Sequence, residues 1–297
     1  MPIGRRPARL TSTIAGAVHV VRRDALRVVL GVGSANAGGG QRGGKHEGVA
    51  LNLITLLSSA VRKGQVARVG RQRHCGPMRK LIWGIVEFRE QQLPGYAKHF
   101  RELADGQSPN TLFITCADSR VSPDLLVSTG PGELFTMRNV GNLVPPATAD
   151  GLSTGDLSEA SAIEYAVKVL KVANIVVCGH SGCGAMKAVL APGPLDDTPN
   201  LTAWLHHARP AATRLAQDVT PGSGLTPYDR LSQLNVLVQL EHLMTYPDVR
   251  NAVDRGALQL SGWWFDIAGG DMYVYQPDAR TFAVIDRDLA ERLVGRD

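Results

Sequence analysis

Two short apolar runs end on residues that commonly bind metals, and this pattern constrains the fold more than any other feature of the sequence. "TLFITC" (Thr111–Cys116) continues into "ADSR", and "NIVVCG" (residues 174–179) continues into "HSGC". Short apolar runs rich in β-branched residues predict buried strands. Between them, "SEASAIEYAVKVLK" (residues 158–171) predicts an amphipathic helix that opens at Ser158. This order predicts an α/β fold with a central, mostly parallel β-sheet flanked by helices.

Further elements are predicted on both sides of this unit. "ELFTMRNV" (residues 133–140) predicts another strand, and "ALQLSGWWFDI", "GDMYVYQ" and "TFAVID" predict three late strands. A helical pattern begins at Leu81, and "GAMKAVL", "NLTAWLHHARPAATRLAQ" and "LSQLNVLVQLEHLMTY" predict later helices. The sequence contains no internal repeat.

Charge divides the chain near residue 77. The net charge of the 297 residues is +5, but residues 1–77 hold 13 Lys and Arg against two acids, so the remainder carries −6. A basic chain would suggest nucleic-acid binding, and the acidic remainder removes that support. The longest apolar run near the N-terminus, residues 48–61, is shorter than the roughly 20 residues that a membrane-spanning helix needs. We therefore expect neither a nucleic acid nor a membrane as partner.

Residues 1–77 show no sustained helical or strand period, and we expect them to lie outside the fold. Three origins fit them: an Arg-rich transit peptide, a disordered basic tail, or an upstream stretch included by a wrong start codon. "MRKLIWGIVEFREQQL" from Met78 resembles a natural protein start, which favours the last. The folded domain is expected to span residues 78–297, in the cytoplasm, or in an organelle if the leader is a transit peptide.

The two predicted strands carry a candidate metal site at their carboxyl ends. Open parallel sheets bind ligands outside those ends, so Cys116 and His180 converge if the strands are neighbours. Cys183 starts the next predicted helix, where the helix dipole favours a thiolate. Two thiolates and one imidazole suit Zn²⁺, and three protein ligands leave the fourth position that is typical of catalytic zinc. Cys178 lies inside the apolar run and is interpreted as a core thiol.

Asp118 and Arg120 follow Cys116 at alternate positions, so all three side chains can share one side. A carboxylate beside an open zinc position could bind the metal and close the site, or accept a hydrogen bond from a metal-bound water. Arg120 can decide between these states, because its planar guanidinium holds a carboxylate bidentately and draws it off the metal. Two thiolates also cancel the charge of Zn²⁺, so this zinc would acidify a bound water less than a zinc held by histidines alone. A carboxylate that orients the water and passes on its proton would therefore help the reaction.

"CADSR" followed 60 residues later by "HSGCG" resembles the β-class carbonic anhydrases, and the likeness runs from about Met78 to the end. The resemblance implies one Zn²⁺ per chain on Cys116, His180 and Cys183, with Asp118 and Arg120 as the catalytic dyad. It also implies a homodimer or a higher homo-oligomer. The implied reaction is the reversible hydration of CO2 to bicarbonate and a proton, through zinc-bound hydroxide.

Finer matches resemble the plant-like, open-site subclass. Gln107 in "GQSP", Phe135 and Val140 in "GELFTMRNVGNLVPP" and Tyr165 in "AIEYAV" match the substrate pocket of such members. The resemblance implies that CO2 lies against Phe135 and Val140 and that Gln107 donates a hydrogen bond to one of its oxygens. Phe113 stands where bicarbonate-inhibited members carry a tryptophan of their regulatory site. This difference argues for an enzyme that bicarbonate does not inhibit in that way.

Three other functions fit the same residues less well. A zinc protein without catalysis would keep Asp118 on the metal, and the intact Arg120 and Gln107 argue against it. A different hydrolase on this scaffold, such as one acting on carbon disulfide, is compatible with the sequence. A thiol redox role for the two cysteines of the site would leave His180 without a purpose.

Overall fold

A computed structural model describes residues 76–193, 197–218 and 224–295. The predicted leader lies outside these ranges except for its last two residues. The described residues form six strands: β1 (Thr111–Cys116), β2 (Leu134–Asn139), β3 (Asn174–His180), β4 (Gln259–Asp266), β5 (Asp271–Gln276) and β6 (Thr281–Val284).

The helices in the described part of the chain are α1 (Pro77–Glu87), α2 (Leu93–Leu103), α3 (Pro123–Leu126), α4 (Leu157–Glu164), α5 (Gly184–Leu190), α6 (Pro199–Leu205), α7 (Arg209–Gln217), α8 (Pro227–Leu243), α9 (Pro247–Asp254) and α10 (Arg287–Val294). A π-helical segment, Phe88–Gln92, joins α1 to α2, and a second, Tyr165–Leu170, continues α4. Across the described ranges, no helix has both the length and the apolar character needed to cross a membrane.

The strands form one sheet in the order β2-β1-β3-β4-β5-β6. Strands β2, β1, β3 and β4 are parallel, and β5 and β6 extend the sheet antiparallel. The predicted α/β class with a mostly parallel, helix-flanked sheet is confirmed. From β1 the chain goes to β2 on one side, and from β3 it goes to β4 on the other. The carboxyl ends of β1 and β3 therefore flank a topological switch point, where such sheets bind ligands.

The two central strands are buried on both faces, which explains why their sequences are apolar almost without interruption. Leu112 and Ile114 of β1 pack in a cluster with residues of α4, α8 and α9. Phe113 points to the opposite face and packs in a cluster with Cys178. Cys178 is fully buried, as the interpretation of a core thiol requires, and its burial raises the pKa of the thiol to about 12.

Helix boundaries differ from the predicted ones where capping residues decide them. The N-cap of α4 is Asp156, two residues before the predicted Ser158, because the Asp156 side chain accepts a hydrogen bond from the Ser158 N–H at 2.6 Å. Helix α1 starts at Pro77 rather than Leu81, since proline suits the first helical turn. The predicted helical run near residue 205 is interrupted by a 3₁₀ turn, His206–Ala208.

Residues 77–103, named here the N-terminal arm, contribute no buried side chain in their two α-helices. Helix α1 instead exposes large apolar side chains, with Ile82 52% and Trp83 59% accessible. The imidazole of His99 in α2 lies 2.8 Å from the carbonyl oxygen of Pro131. An amphipathic arm with an exposed apolar face is typical of a segment that packs against another surface.

Candidate metal centre

Cys116, His180 and Cys183 come together at the switch point of the sheet. Cys116 ends β1 and His180 ends β3, and these strands are adjacent and parallel. Cys183 is the N-cap residue of α5, three residues after His180. All three residues are buried, and their ligand atoms lie within 4.8 Å of one another. The convergence expected from the sequence is therefore present in the structure.

His180 presents one ring nitrogen to this cluster. Its Nδ1 lies 2.9 Å from the carbonyl oxygen of Ser181, so the Nδ1 proton is placed to donate there. The Nε2 atom is buried and has no hydrogen-bond partner. A buried polar atom without a hydrogen-bond partner destabilises a fold. A cation that accepts the lone pair of Nε2 would remove this cost. The donor set fits a soft metal ion.

The sulfur atoms of Cys116 and Cys183 lie within 4.8 Å of each other, so each thiol affects the pKa of the other. The pKa of Cys116 falls to about 4, chiefly because the Cys183 thiol hydrogen-bonds to it, while burial opposes the shift. The pKa of Cys183 is raised by that same hydrogen bond and by burial. The Gly141 N–H also donates to the Cys116 Sγ at 3.4 Å. A divalent cation bound by both cysteines would displace the remaining thiol proton and stabilise both thiolates.

Asp118 and Arg120 form a bidentate ion pair beside the cluster. The Arg120 Nε donates to Asp118 Oδ1 at 2.9 Å, and its Nη2 donates to Oδ2 at 2.7 Å. These bonds hold the pKa of the Asp118 carboxyl well below its usual range. The Nη2 also donates to the carbonyl oxygen of Gly182 at 3.2 Å, which ties the pair to the turn between His180 and Cys183.

Arg138 supports this arrangement and was not predicted. Its Nε donates to the Cys116 carbonyl oxygen at 3.1 Å, and its Nη2 donates to the Asp118 carbonyl oxygen at 2.7 Å. It therefore fixes the main chain that carries both residues. The function follows from the pairing of β2 with β1, which places Arg138 opposite Thr115. The signal in the sequence is a charged residue inside the strand "ELFTMRNV".

The four predicted substrate residues lie in different places. Val140 lines an open cavity of about 460 Å³ together with Ala117, the residue after Cys116. The rings of Phe135 and Tyr165 pack on each other with centroids 5.7 Å apart and do not line this cavity. Gln107 is exposed. Within one chain, Val140 alone of the four stands at the cavity.

Comparisons with known proteins agree with this geometry. The family model described as carbonic anhydrase matches residues 111–272. The carbonic anhydrase of Pseudomonas aeruginosa is 41% identical over 218 residues, which cover 73% of this chain and 96% of that protein.

Two solved structures resemble the fold. The β-carbonic anhydrase CcaA is 34% identical with a TM-score of 0.64, covering 70% of this chain and all of that chain. A tetrameric β-carbonic anhydrase from the ascomycete Sordaria macrospora is 28% identical with a TM-score of 0.52, covering 75% of this chain and 96% of that one. The metal-binding geometry and these matches together show that the chain belongs to the β-class carbonic anhydrases.

Proposed function

We propose that the chain hydrates CO2 reversibly to bicarbonate and a proton with one Zn²⁺ held by Cys116, His180 and Cys183. The observation that carries this proposal is the buried, unpartnered Nε2 of His180, whose ligand atom lies within 4.8 Å of two thiol sulfurs. Two thiolates and an imidazole suit zinc, and three protein ligands leave a position for a reactant. When bound, Zn²⁺ supplies a Lewis acid that makes water a nucleophile near neutral pH.

Asp118 and Arg120 keep that fourth position open. Arg120 donates to both carboxylate oxygens of Asp118 and to the carbonyl oxygen of Gly182, so the guanidinium competes with the metal for this carboxylate. Asp118 Oδ2 lies 3.9 Å from His180 Nε2 and can accept a hydrogen bond from a group bound beside it. Phe113 is buried against Trp263, with ring centroids 6.0 Å apart. A phenylalanine at this position supports the open-site subclass, since bicarbonate-inhibited members carry a tryptophan there.

The cavity beside Cys116 offers CO2 two small apolar groups, Ala117 and Val140. It is also lined by Trp204 and by the polar or charged side chains of Arg138, Asn139, Asp156, Ser158 and Glu159, so further apolar groups are needed to complete a pocket that suits an uncharged molecule such as CO2. Phe135, Tyr165 and Gln107 stand apart from this cavity in the same chain. A second copy of the chain supplies these three groups and completes the pocket.

The active assembly is a homodimer or a larger homo-oligomer. Strand β2 is an edge of the sheet, and Tyr165 beside it is 43% exposed, so this side can accept a second copy. The N-terminal arm exposes an apolar face of its own. The tetrameric relative from Sordaria macrospora supports the same conclusion, because it shares the fold.

The protein works in a reducing compartment, and we propose the cytoplasm. Cys116 and Cys183 are free thiols whose sulfurs lie close together. An oxidising compartment would favour a disulfide between such cysteines and would remove both metal ligands.

Removal of the metal tests this function. Zinc content and CO2 hydration are measured on the same protein before and after treatment with a chelator. We expect one zinc per chain, loss of turnover on stripping, and recovery with Zn²⁺ but not with Mg²⁺. Cys183→Ser should lose most zinc and activity, whereas Cys178→Ala, a matched change at the core thiol, should keep both. Full turnover in stripped protein would contradict the metal proposal.

A further inference from the structure

Helix α8 carries a row of polar residues that face the metal centre. Asp229, Ser232 and Asn235 follow at intervals of three, so they lie on one side of the helix. Ser232 is 1% exposed and Asn235 is fully buried. Polar side chains buried in this way destabilise a protein unless they form hydrogen bonds, so the partners of this row identify its purpose.

Two members of the row hold the turn that carries His180 and Cys183. The Ser232 hydroxyl donates to the carbonyl oxygen of His180 at 2.9 Å. The Asp229 Oδ1 accepts a hydrogen bond from the Gly182 N–H at 2.6 Å. The main chain between the two ligands is therefore fixed from the same helix at two successive points.

The third member reaches the remaining ligand through one residue. The Asn235 Nδ2 donates to the carbonyl oxygen of Gly141 at 3.0 Å, and the Gly141 N–H donates to the Cys116 Sγ at 3.4 Å. Gln239, one turn further on, donates to the Asn235 Oδ1 at 2.9 Å and fixes the orientation of that amide. Asn235 thereby sets the position of the loop that hydrogen-bonds the sulfur of Cys116.

We infer that Asp229, Ser232 and Asn235 are positioning residues that preorganise the three metal ligands and so set the metal affinity of the centre. The ligands come from the ends of β1 and β3 and from the start of α5, and this one helix contacts the segments that hold them. Ligands ordered in advance lose less conformational entropy when the metal binds. The inference rests on the proposed function, since it takes Cys116, His180 and Cys183 as the zinc ligands.

Asp229 offers the sharpest test, because its carboxylate is itself held in place. The Thr226 hydroxyl donates to its Oδ2 at 2.6 Å, and the Asp229 N–H donates to the Thr226 Oγ1 at 3.2 Å. This reciprocal cap at the start of α8 orients the acceptor oxygen toward Gly182. Asparagine at this position keeps an acceptor oxygen for the Gly182 N–H, whereas alanine removes it.

The experiment measures the Zn²⁺ affinity of the metal-free, full-length chain by competition with a chromogenic chelator, together with its unfolding midpoint. Loss of such supporting partners typically weakens metal binding by about 10- to 100-fold, so we expect at least about tenfold for Asp229→Ala and for Ser232→Ala. Asp229→Asn should restore affinity to near that of the unchanged chain. Arg230→Ala is the control, because Arg230 lies in the same turn but donates to Asp218 at 2.6 Å.

The outcomes separate the inference from the proposed function. If the unchanged chain binds one zinc and Asp229→Ala and Ser232→Ala bind it equally tightly, the inference is overturned while the proposed function stands. If Arg230→Ala weakens zinc binding as much as they do, the effect is one of general stability and the inference is also overturned. If the unchanged chain binds no zinc, the metal proposal itself fails.

Discussion

At the scale of single residues, we propose that the ion pair of Asp118 with Arg120 controls access to the metal centre. Both carboxylate oxygens accept hydrogen bonds from one guanidinium, and the Arg120 N–H adds a third bond to Oδ1 at 3.0 Å. An arginine with this geometry acts as a rigid fork, which a lysine cannot reproduce. The position of the Asp118 carboxylate therefore depends on Arg120, and replacing the arginine should release the carboxylate.

Replacing Arg120 with alanine should free Asp118 to bind the metal. We expect CO2 hydration to fall by about 100-fold while zinc stays near one per chain. Arg120→Lys should give an intermediate rate, because a point charge attracts the carboxylate without holding it bidentately. Stopped-flow rates on protein of measured zinc content check this, with the exposed Arg209→Ala as control. Unchanged turnover in Arg120→Ala would show that the pair does not act as a gate.

Gly141 should resist substitution because of its backbone. Its φ is +86°, and an added Cβ would lie 3.0 Å from the Cβ of Ala185. A left-handed conformation costs an L-residue roughly 1–2 kcal/mol, so Gly141→Ala should lower the free energy of unfolding by at least that amount. Urea unfolding measures it. Gly84→Ala, in the open middle of α1, should instead be neutral or stabilising, and equal losses in both variants would contradict the argument.

Some residues of the site can be predicted from the neighbouring sequence, whereas others owe their role to contacts with distant parts of the chain. Cys116 and His180 could be predicted because each directly follows or ends an apolar run, so strand ends alone place them. Arg138 could not be predicted, since its two bonds depend on the register between β1 and β2. Ser232 and Asn235 depend on how α8 docks onto residues far away in sequence, and the helix shows only buried polar positions in an apolar pattern.

At the scale of elements, strands were easier to predict than the ends and shapes of helices. The central strands are apolar throughout, and the late strands alternate apolar with polar residues between turn sequences. Both patterns predict strands from the sequence alone. The π-helical segments Phe88–Gln92 and Tyr165–Leu170 carry no such pattern. The second ends at Lys171 with φ +57°, a left-handed residue that terminates the helix without glycine.

The N-terminal arm should join copies of the chain. A double variant, Ile82→Glu with Trp83→Glu, places charge on its apolar face, where burial of each side chain is worth about 1.5–3 kcal/mol. We expect the sedimentation coefficient to shift toward that of a monomer, with loss of CO2 hydration because the pocket is then incomplete. Lys80→Glu on the same helix is the matched charge control. A sedimentation coefficient like that of the unchanged chain would show that the arm does not mediate assembly.

At the scale of the whole molecule, the metal should link parts of the fold that are distant in sequence. Zinc that binds only the folded chain stabilises it by about 4.1 kcal/mol at a free concentration a thousand times its Kd. Stripped protein should therefore melt at a lower temperature, and added Zn²⁺ should reverse the change. Calorimetric scans with and without zinc measure this effect, and identical melting curves would contradict zinc binding to the folded state.

The assembly is the level that the sequence predicted least. Gln107, Phe135 and Tyr165 match a pocket by residue type, but a linear pattern does not say which copy of a chain supplies each group. In one chain Val140 alone of the predicted substrate residues reaches the cavity. The exposed Tyr165 and the exposed arm are properties of the folded surface, which becomes visible only once the sheet edge is known.

The most direct test of the proposed function is stopped-flow CO2 hydration on protein with quantified zinc, at about pH 7 and about pH 8.5. We expect fast turnover at both pH values, inhibited by azide, because Arg120 holds Asp118 away from the open position of the metal. Full zinc occupancy without turnover at either pH would contradict it, since Asp118 would then close the site or the substrate would not be CO2.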